Sequence, residues 1–67
     1  MPEQGTHFWF MSLYGAGNIW RRSGTCTPPR GATRFDMFEL LLESVRGEEA
    51  RLQNATAVAF DIQPNKL

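Results

Sequence analysis

The stretch from Thr6 to Tyr14, THFWFMSLY, constrains the fold more than any other part of this 67-residue sequence. Successive side chains of a β-strand point to opposite faces of its sheet. A helix is the rival interpretation, but Phe, Trp and Tyr favour strands. A strand with one face in water alternates apolar and polar residues, and this stretch does not, so we predict a central strand buried on both sides. One face carries His7, Trp9, Met11 and Leu13, and the other carries Phe8, Phe10, Ser12 and Tyr14.

A second strand is predicted to follow a tight turn. Residues 15–18 read Gly-Ala-Gly-Asn, and glycine and asparagine tolerate the positive φ angles that hairpin turns need. If Tyr14 pairs with Ile19, the register is fixed, since a slip of one residue would exchange the faces. Strand two then extends to about Thr27, where Pro28-Pro29 ends it because proline has no backbone N–H. The predicted partners are Leu13 with Trp20, Met11 with Arg22, Trp9 with Gly24, and His7 with Cys26.

A helix is predicted from about Arg34 to Arg46. Thr33 is a favourable N-cap, and Asp36 three residues later forms a short variant of the capping box. Gly47 is expected to cap the C-terminus. The predicted apolar stripe, spaced three and four residues apart, consists of Phe35, Phe38, Leu41, Leu42 and Val45.

A third strand is predicted over residues 56–63, before Pro64. For residues 48–54 a second helical turn and a loop both remain open, although we expect Leu52 to contact the core. In strict alternation, the third strand places Thr56, Val58, Phe60 and Ile62 on one face and Ala57, Ala59 and Asp61 on the other.

These elements predict a single α+β domain over residues 1–67, with residues 1–5 as an N-terminal arm. The element order is ββαβ, and a right-handed crossover carries the chain through the helix to strand three. If strand three lay beside strand two, strand one would be an edge, which conflicts with its two apolar faces. We therefore predict a three-stranded antiparallel sheet in the order 2-1-3, with one helix on one face.

The helix can cover only one face of this sheet. We assign it to the face with Phe8, Phe10 and Ile19, joined by Val58, Phe60 and Ile62; the assignment could be inverted, but a surplus apolar face remains either way. Exposed apolar patches usually mark contact sites, in which Trp, Met and Arg are enriched. We therefore expect a non-enzymatic interaction module, self-associating as a homodimer or higher homo-oligomer, with another protein partner as a further option. The expected interaction residues are Trp9, Met11, Leu13, Trp20 and Arg22.

The charges suggest an alternative function. Net charge is zero, but the chain through Arg34 holds four Arg and one Glu, whereas the remainder holds six acids and three bases. Arginines beside an aromatic residue can bind phosphates and stack a base, so the alternative is a nucleic-acid-binding accessory or regulatory protein. We rank it second because the chain lacks the overall basicity of a dedicated binder. Its contact residues would be Arg21, Arg22, Arg30 and Arg34, with Trp20.

The sequence offers little for catalysis, so we expect no enzyme, no catalytic residues, no cofactor and no metal site. His7 and Cys26 could form a nucleophile pair, but an orienting third group and a cleft are also needed. One His and one Cys fall short of the usual four zinc ligands. No run approaches the ~20 apolar residues that span a membrane, and no secretory signal is visible. A cytoplasmic protein is therefore expected.

Three segments together carry a resemblance: HFWFMSL near the start, SGTCTPPRGATRFDMF in the middle and ATAVAFDIQPNKL at the end. They resemble a group of short uncharacterised actinobacterial proteins. That group has an aromatic first strand, a G-T-x-T-P-x-x-G-A-T-R joint into a helix, and a closing strand ending in P-N-x-L. The resemblance implies a bacterial, cytoplasmic protein, and it brings no activity and no site residues.

Overall fold

The computed structural model describes residues 4–67, and it confirms the predicted α+β fold. The three strands form one antiparallel sheet in the predicted order, with the aromatic first strand in the centre. Residues 1–3 of the predicted arm lie outside the described part of the chain. The elements are β1 (His7–Gly15), β2 (Asn18–Cys26), α1 (Arg34–Glu48), a short 3₁₀ helix (Ala50–Leu52) and β3 (Thr56–Pro64).

The hairpin has the predicted register. Ala16 and Gly17 form its two-residue turn with φ angles of 51° and 78°, and a type I′ turn requires positive φ at both positions. The Trp9 indole lies over the backbone of Gly24, where an added Cβ would meet its Nε1 at 3.4 Å. The partners are Tyr14 with Ile19, Leu13 with Trp20, Met11 with Arg22, Trp9 with Gly24, and His7 with Cys26, as predicted.

The start of α1 is confirmed, but its predicted end was wrong. The Thr33 hydroxyl accepts a hydrogen bond of 3.1 Å from the Asp36 backbone N–H, and Thr33 N–H donates one of 3.0 Å to the Asp36 carboxylate. At the other end Gly47 lies within the helix, and the extended Glu49 is the C-cap. A left-handed glycine is not needed, because Glu49 leads directly into the 3₁₀ helix and caps it through a bond from Arg51 N–H.

The core lies between α1 and one face of the sheet. Met37, Leu41 and Val45, four residues apart, form the buried line of the helix, with Phe38 and Leu42 packed beside it. The prediction for Phe35 was wrong: its side chain is 64% exposed. The fully or nearly buried residues are Met11, Leu13, Met37, Leu41, Val45, Leu52 and Ala55, so the expectation for Leu52 is confirmed.

The predicted choice of sheet face for the helix was wrong. Met11 and Leu13 are fully buried, and Trp9 packs against the core, whereas Phe8 and Phe10 are exposed. The reason is visible in the composition of the two faces. Each side of β1 and β2 carries one arginine, Arg22 on the covered side and Arg21 on the other, but the other side also carries the hydroxyl residues Ser12, Ser23 and Thr25. Covering the first face leaves these hydroxyl side chains in water, so that they need no hydrogen-bond partner in the core.

A β-bulge in β3 overturns the predicted alternation of that strand. Ser12 pairs with Ala59, but the next residue, Leu13, pairs with Ala57, so Val58 is the extra residue. One extra residue changes which side the following side chains take. Ala57 therefore packs on the core together with Phe60 and Ile62, and the Phe60 ring meets Phe38 edge-on at 5.3 Å. Val58 is instead exposed.

Candidate interaction surface

The sheet face opposite α1 is lined by side chains from all three strands, and we call it the open face. Directly paired residues of an antiparallel sheet share one face, so the register places them in rows across the strands. From one end, the rows are Thr25–Phe8–Gln63, Ser23–Phe10–Asp61, Arg21–Ser12–Ala59 with Val58 beside it, and Ile19–Tyr14–Thr56.

Large apolar side chains occupy this face while remaining in contact with solvent. Five of them are between 38% and 58% exposed, and three of the five come from the central strand, where burial is normally greatest. Among residues 4–67 no helix lies against this side, since α1 packs on Met11 and Leu13. The five residues are Phe8, Phe10, Tyr14, Ile19 and Val58.

The open face has one charge of each sign, at opposite edges. Arg21 lies on β2 in the Ser12 row, and Asp61 lies on β3 in the adjacent Phe10 row. The Asp61 carboxylate contacts Arg34 Nη2 at 3.6 Å and accepts hydrogen bonds of 3.2 Å from the Gln63 amide. Arg34 and Asp61 are both largely solvated, at 63% and 41% side-chain exposure, so their mutual attraction is weak.

The interaction residues expected from the sequence lie on the side of the sheet that faces the core, and they form no exposed patch. Met11 and Leu13 are inaccessible to solvent, and Trp9 and Trp20 are half-buried against the core. Arg22 is on the same side and is also half-buried. This correction follows from the helix occupying the opposite face from the one predicted. The surplus apolar face exists, but different residues form it.

Trp20 is held by its neighbours at the turn end of the sheet. Its indole N–H donates a 2.9 Å hydrogen bond to Gly15 C=O. The Arg51 guanidinium lies 4.6 Å from the ring centroid and that of Arg22 lies 5.9 Å away, both within cation–π range. Arg51 also donates two hydrogen bonds to the Glu49 carboxylate, from Nε to Oε1 at 3.1 Å and from Nη2 to Oε2 at 3.4 Å. These hydrogen bonds from Arg51 hold the pKa of the Glu49 carboxyl below its ordinary value.

The four arginines proposed for nucleic-acid binding are not brought together. Arg21 and Arg22 are neighbours in β2 and therefore point to opposite faces. Arg34 lies beside β3 at the other edge of the sheet, where its guanidinium also donates to Ile62 C=O at 3.4 Å. Arg30 lies in the loop before α1. The arrangement does not produce a continuous basic stripe from these residues.

His7 and Cys26 are paired across the sheet as predicted, but their surroundings do not favour nucleophilic chemistry. His7 Nδ1 is 2.9 Å from the Thr6 hydroxyl. Burial raises the pKa of the Cys26 thiol, which lowers the fraction of reactive thiolate at neutral pH. A cleft of about 420 Å³ lies beside His7, with Pro28, Arg34 and Ile62 in its lining. The Arg34 guanidinium in this lining donates a hydrogen bond to Ile62 C=O and contacts the Asp61 carboxylate.

Two further properties concern the described residues. Within residues 4–67 no three His, Cys, Asp or Glu side chains are close enough together to share a metal ion. No helix in that part of the chain has both the length and the apolar character needed to cross a bilayer.

The fold and this surface together define a small α+β domain that presents an aromatic sheet face to solvent. Comparison of the chain with protein-family models, with curated protein sequences and with solved structures gave no match. The function is therefore inferred from the open face itself.

Proposed function

We propose that this chain is an interaction module that associates with a second copy of itself through the open face. The observation that carries the proposal is the group of five exposed apolar side chains on that face, three of them aromatic. Soluble monomers rarely leave apolar patches of this kind in water, and such patches usually mark contact sites. Aromatic residues contribute most to binding when they are removed from solvent at the centre of an interface.

A second copy is a suitable partner because the open face complements itself. It offers a central apolar strip, formed by Phe8, Phe10 and Tyr14, together with one basic and one acidic residue at its two edges. Sheets that pack face to face lie about 10 Å apart with interdigitating side chains. A two-fold axis would bring the same surface of both copies together. With formal net charge zero, two copies do not repel each other as a whole.

The size of the open face predicts weak association. Three strands of nine residues give a surface about 30 Å long and 14 Å wide, or roughly 400 Å² in projection. A standard stable interface buries about 800 Å² on each partner. We therefore expect dissociation in the micromolar range, with a monomer–dimer equilibrium that depends on concentration.

Sedimentation equilibrium over a range of micromolar concentrations tests the proposal. We expect the mass to rise above the 7.6 kDa of one chain as concentration increases, and Phe10→Ser to shift the equilibrium toward monomer. Leu40→Ser is the matched control, because Leu40 is 52% exposed on α1, away from the open face. A wild-type chain that stays at 7.6 kDa at every concentration contradicts the proposal, as does equal weakening by both substitutions.

One observation supports nucleic-acid binding as a second candidate function. Phe8 and Phe10 lie on the same side of the central strand with Arg21 on the adjacent strand, and sheet faces with exposed aromatic residues can stack single-stranded bases. Binding of a fluorescent single-stranded oligonucleotide at low salt, lost with Phe8→Ser and weakened by added salt, would support this function. An unchanged signal at every protein concentration would remove it.

A further inference from the structure

We infer that two copies pack with β2 of one protomer over β3 of its partner, so that Arg21 of each copy pairs with Asp61 of the other. The inference rests on the proposed self-association and adds the orientation of the partner and the polar contacts that select it. Two surface arginines and two surface aspartates would then link opposite edges of the paired sheets.

The positions of the two charged residues come from the strand register. Arg21 is opposite Ser12 on the β2 edge, and Asp61 is opposite Phe10 on the β3 edge. Ser12 and Phe10 are two residues apart on β1, so the two charged residues lie in adjacent rows of the open face. Adjacent rows on one face are about 6.8 Å apart along the strands. An extended arginine side chain can cover this distance.

Two face-to-face arrangements keep the strands of both sheets aligned. In the first, the two-fold axis is parallel to the strands, so β2 of each copy lies over β3 of the other. In the second, the axis also lies midway between the sheets but is perpendicular to the strands, so β2 lies over β2 and β3 lies over β3. Both arrangements place β1 over β1 and cover the central strip of Phe8, Phe10 and Tyr14.

Electrostatics distinguishes the two arrangements. In the second, the two Arg21 side chains share one edge of the interface and the two Asp61 side chains share the other, so like charges meet at both edges. In the first, each Arg21 lies one row from the partner's Asp61, and the pair forms twice by symmetry. Like charges placed together across an interface are unfavourable, and complementary charges set orientation. The first arrangement is therefore the one that the charges select.

The intramolecular contacts of Asp61 are compatible with an additional partner. Its carboxylate has room for about four hydrogen bonds, and it receives two long ones from the Gln63 amide and a 3.6 Å contact from Arg34. Arg34 is the first residue of α1, and its guanidinium also donates to the backbone Ile62 C=O at the β3 edge. The partner's Arg21 would approach from the open face.

A charge-reversal experiment tests the inference. Arg21→Asp and Asp61→Arg are prepared separately, and dimer dissociation constants are measured by sedimentation for each variant and for their equimolar mixture. We expect each variant alone to self-associate at least about tenfold more weakly than wild type, and the mixture to form a heterodimer within about threefold of wild-type affinity. Arg30→Asp and Glu39→Arg are the matched controls, because both reverse an exposed charge outside the open face. Circular dichroism checks that each variant is folded, and Arg21→Gln with Asp61→Asn replaces any variant that is not.

The outcomes separate this inference from the proposed function. If wild type associates but neither reversal weakens it more than its control, or if the mixture does not regain affinity, the inference is wrong and the proposed dimer stands. If the neutral substitutions Arg21→Gln and Asp61→Asn are used instead, weaker self-association of both variants than of the controls supports the inference. Self-association as strong as that of the controls overturns it. If wild type does not associate, both the inference and the proposed function fail.

Discussion

The indole nitrogen of Trp20 donates a 2.9 Å hydrogen bond to the backbone carbonyl oxygen of Gly15, five residues earlier. Arg51 lies over the same ring system, with its guanidinium carbon 4.6 Å from the ring centroid. Arg51 belongs to the 3₁₀ helix. One side chain therefore connects the end of the β-hairpin to the segment that follows α1.

Replacing Trp20 with Phe should lower the free energy of unfolding by about 1–2 kcal/mol, because the hydrogen bond to Gly15 is lost and the cation–π contact is weakened. Urea denaturation followed by circular dichroism measures the change. Arg51→Gln keeps the hydrogen bond but removes the cation–π contact and the exposed ion pair with Glu49, so it should destabilise the chain less than Trp20→Phe does. Equal stability of Trp20→Phe and wild type would show that the bond contributes nothing.

Adding a methyl group at Gly15 should destabilise the fold. The new Cβ would lie 2.8 Å from the Ala55 Cβ, so the segment after the 3₁₀ helix would have to move, at a cost of about 1–3 kcal/mol. Gly47→Ala is the control: nothing lies within 4 Å of its Cβ position, and it should stabilise the helix by about 0.5–1 kcal/mol. Thermal melts of both variants give the comparison, and a shift of Tm in the same direction for both would contradict it.

Replacing Ala16 with Asn should stabilise the hairpin. Ala16 has a φ angle of 51°, a left-handed conformation that is costly for alanine and tolerated by asparagine. We expect a gain of about 0.5–1 kcal/mol in the free energy of unfolding. Gly17→Ala, at the next turn position with φ 78°, should change stability in the opposite direction. If Ala16→Asn proves less stable than wild type in urea, the turn is not strained as described.

The reactivity of Cys26 should depend on folding. Burial raises the pKa of this thiol, so the folded state favours the protonated form. The associated stability is present below the thiol's ordinary pKa and is lost as pH rises through the raised value. We therefore expect the rate of iodoacetamide labelling to reach its midpoint at a higher pH in the native chain than in the urea-unfolded chain. Because the chain has one cysteine, the label reports this site alone. A midpoint pH in the native chain at or below that of the urea-unfolded chain would contradict the prediction.

Local chemistry was sufficient to predict the hairpin and the start of the helix. The two-residue turn fixes the pairing of Tyr14 with Ile19, and every other pair of β1 with β2 follows from it. Thr33 and Asp36 form the capping box that their spacing indicates. The strand order followed from one argument about β1, whose two mostly apolar faces require it to be central.

The covered face could have been predicted from information already in the sequence. The side of β1 and β2 that includes Ser12, Ser23 and Thr25 is the more polar one, and a helix with a narrow buried line should cover the other. The aromatic residues Phe8 and Phe10 obscured this signal, because they made both faces look equally suited to burial. Phe35 was misassigned because its three-residue spacing from Phe38 fits more than one face of a helix. The face that is buried is the one that carries Met37.

The bulge at Val58 was not predictable from spacing, since strict alternation is the default for any strand. It also changes what β3 is able to do. A regular strand would place Ala57 and Ile62, which are five residues apart, on opposite sides of the sheet. With Val58 as the extra residue, both side chains lie on the side that faces α1. Deleting one residue at the bulge would therefore restore strict alternation and turn one end of the closing strand away from the helix.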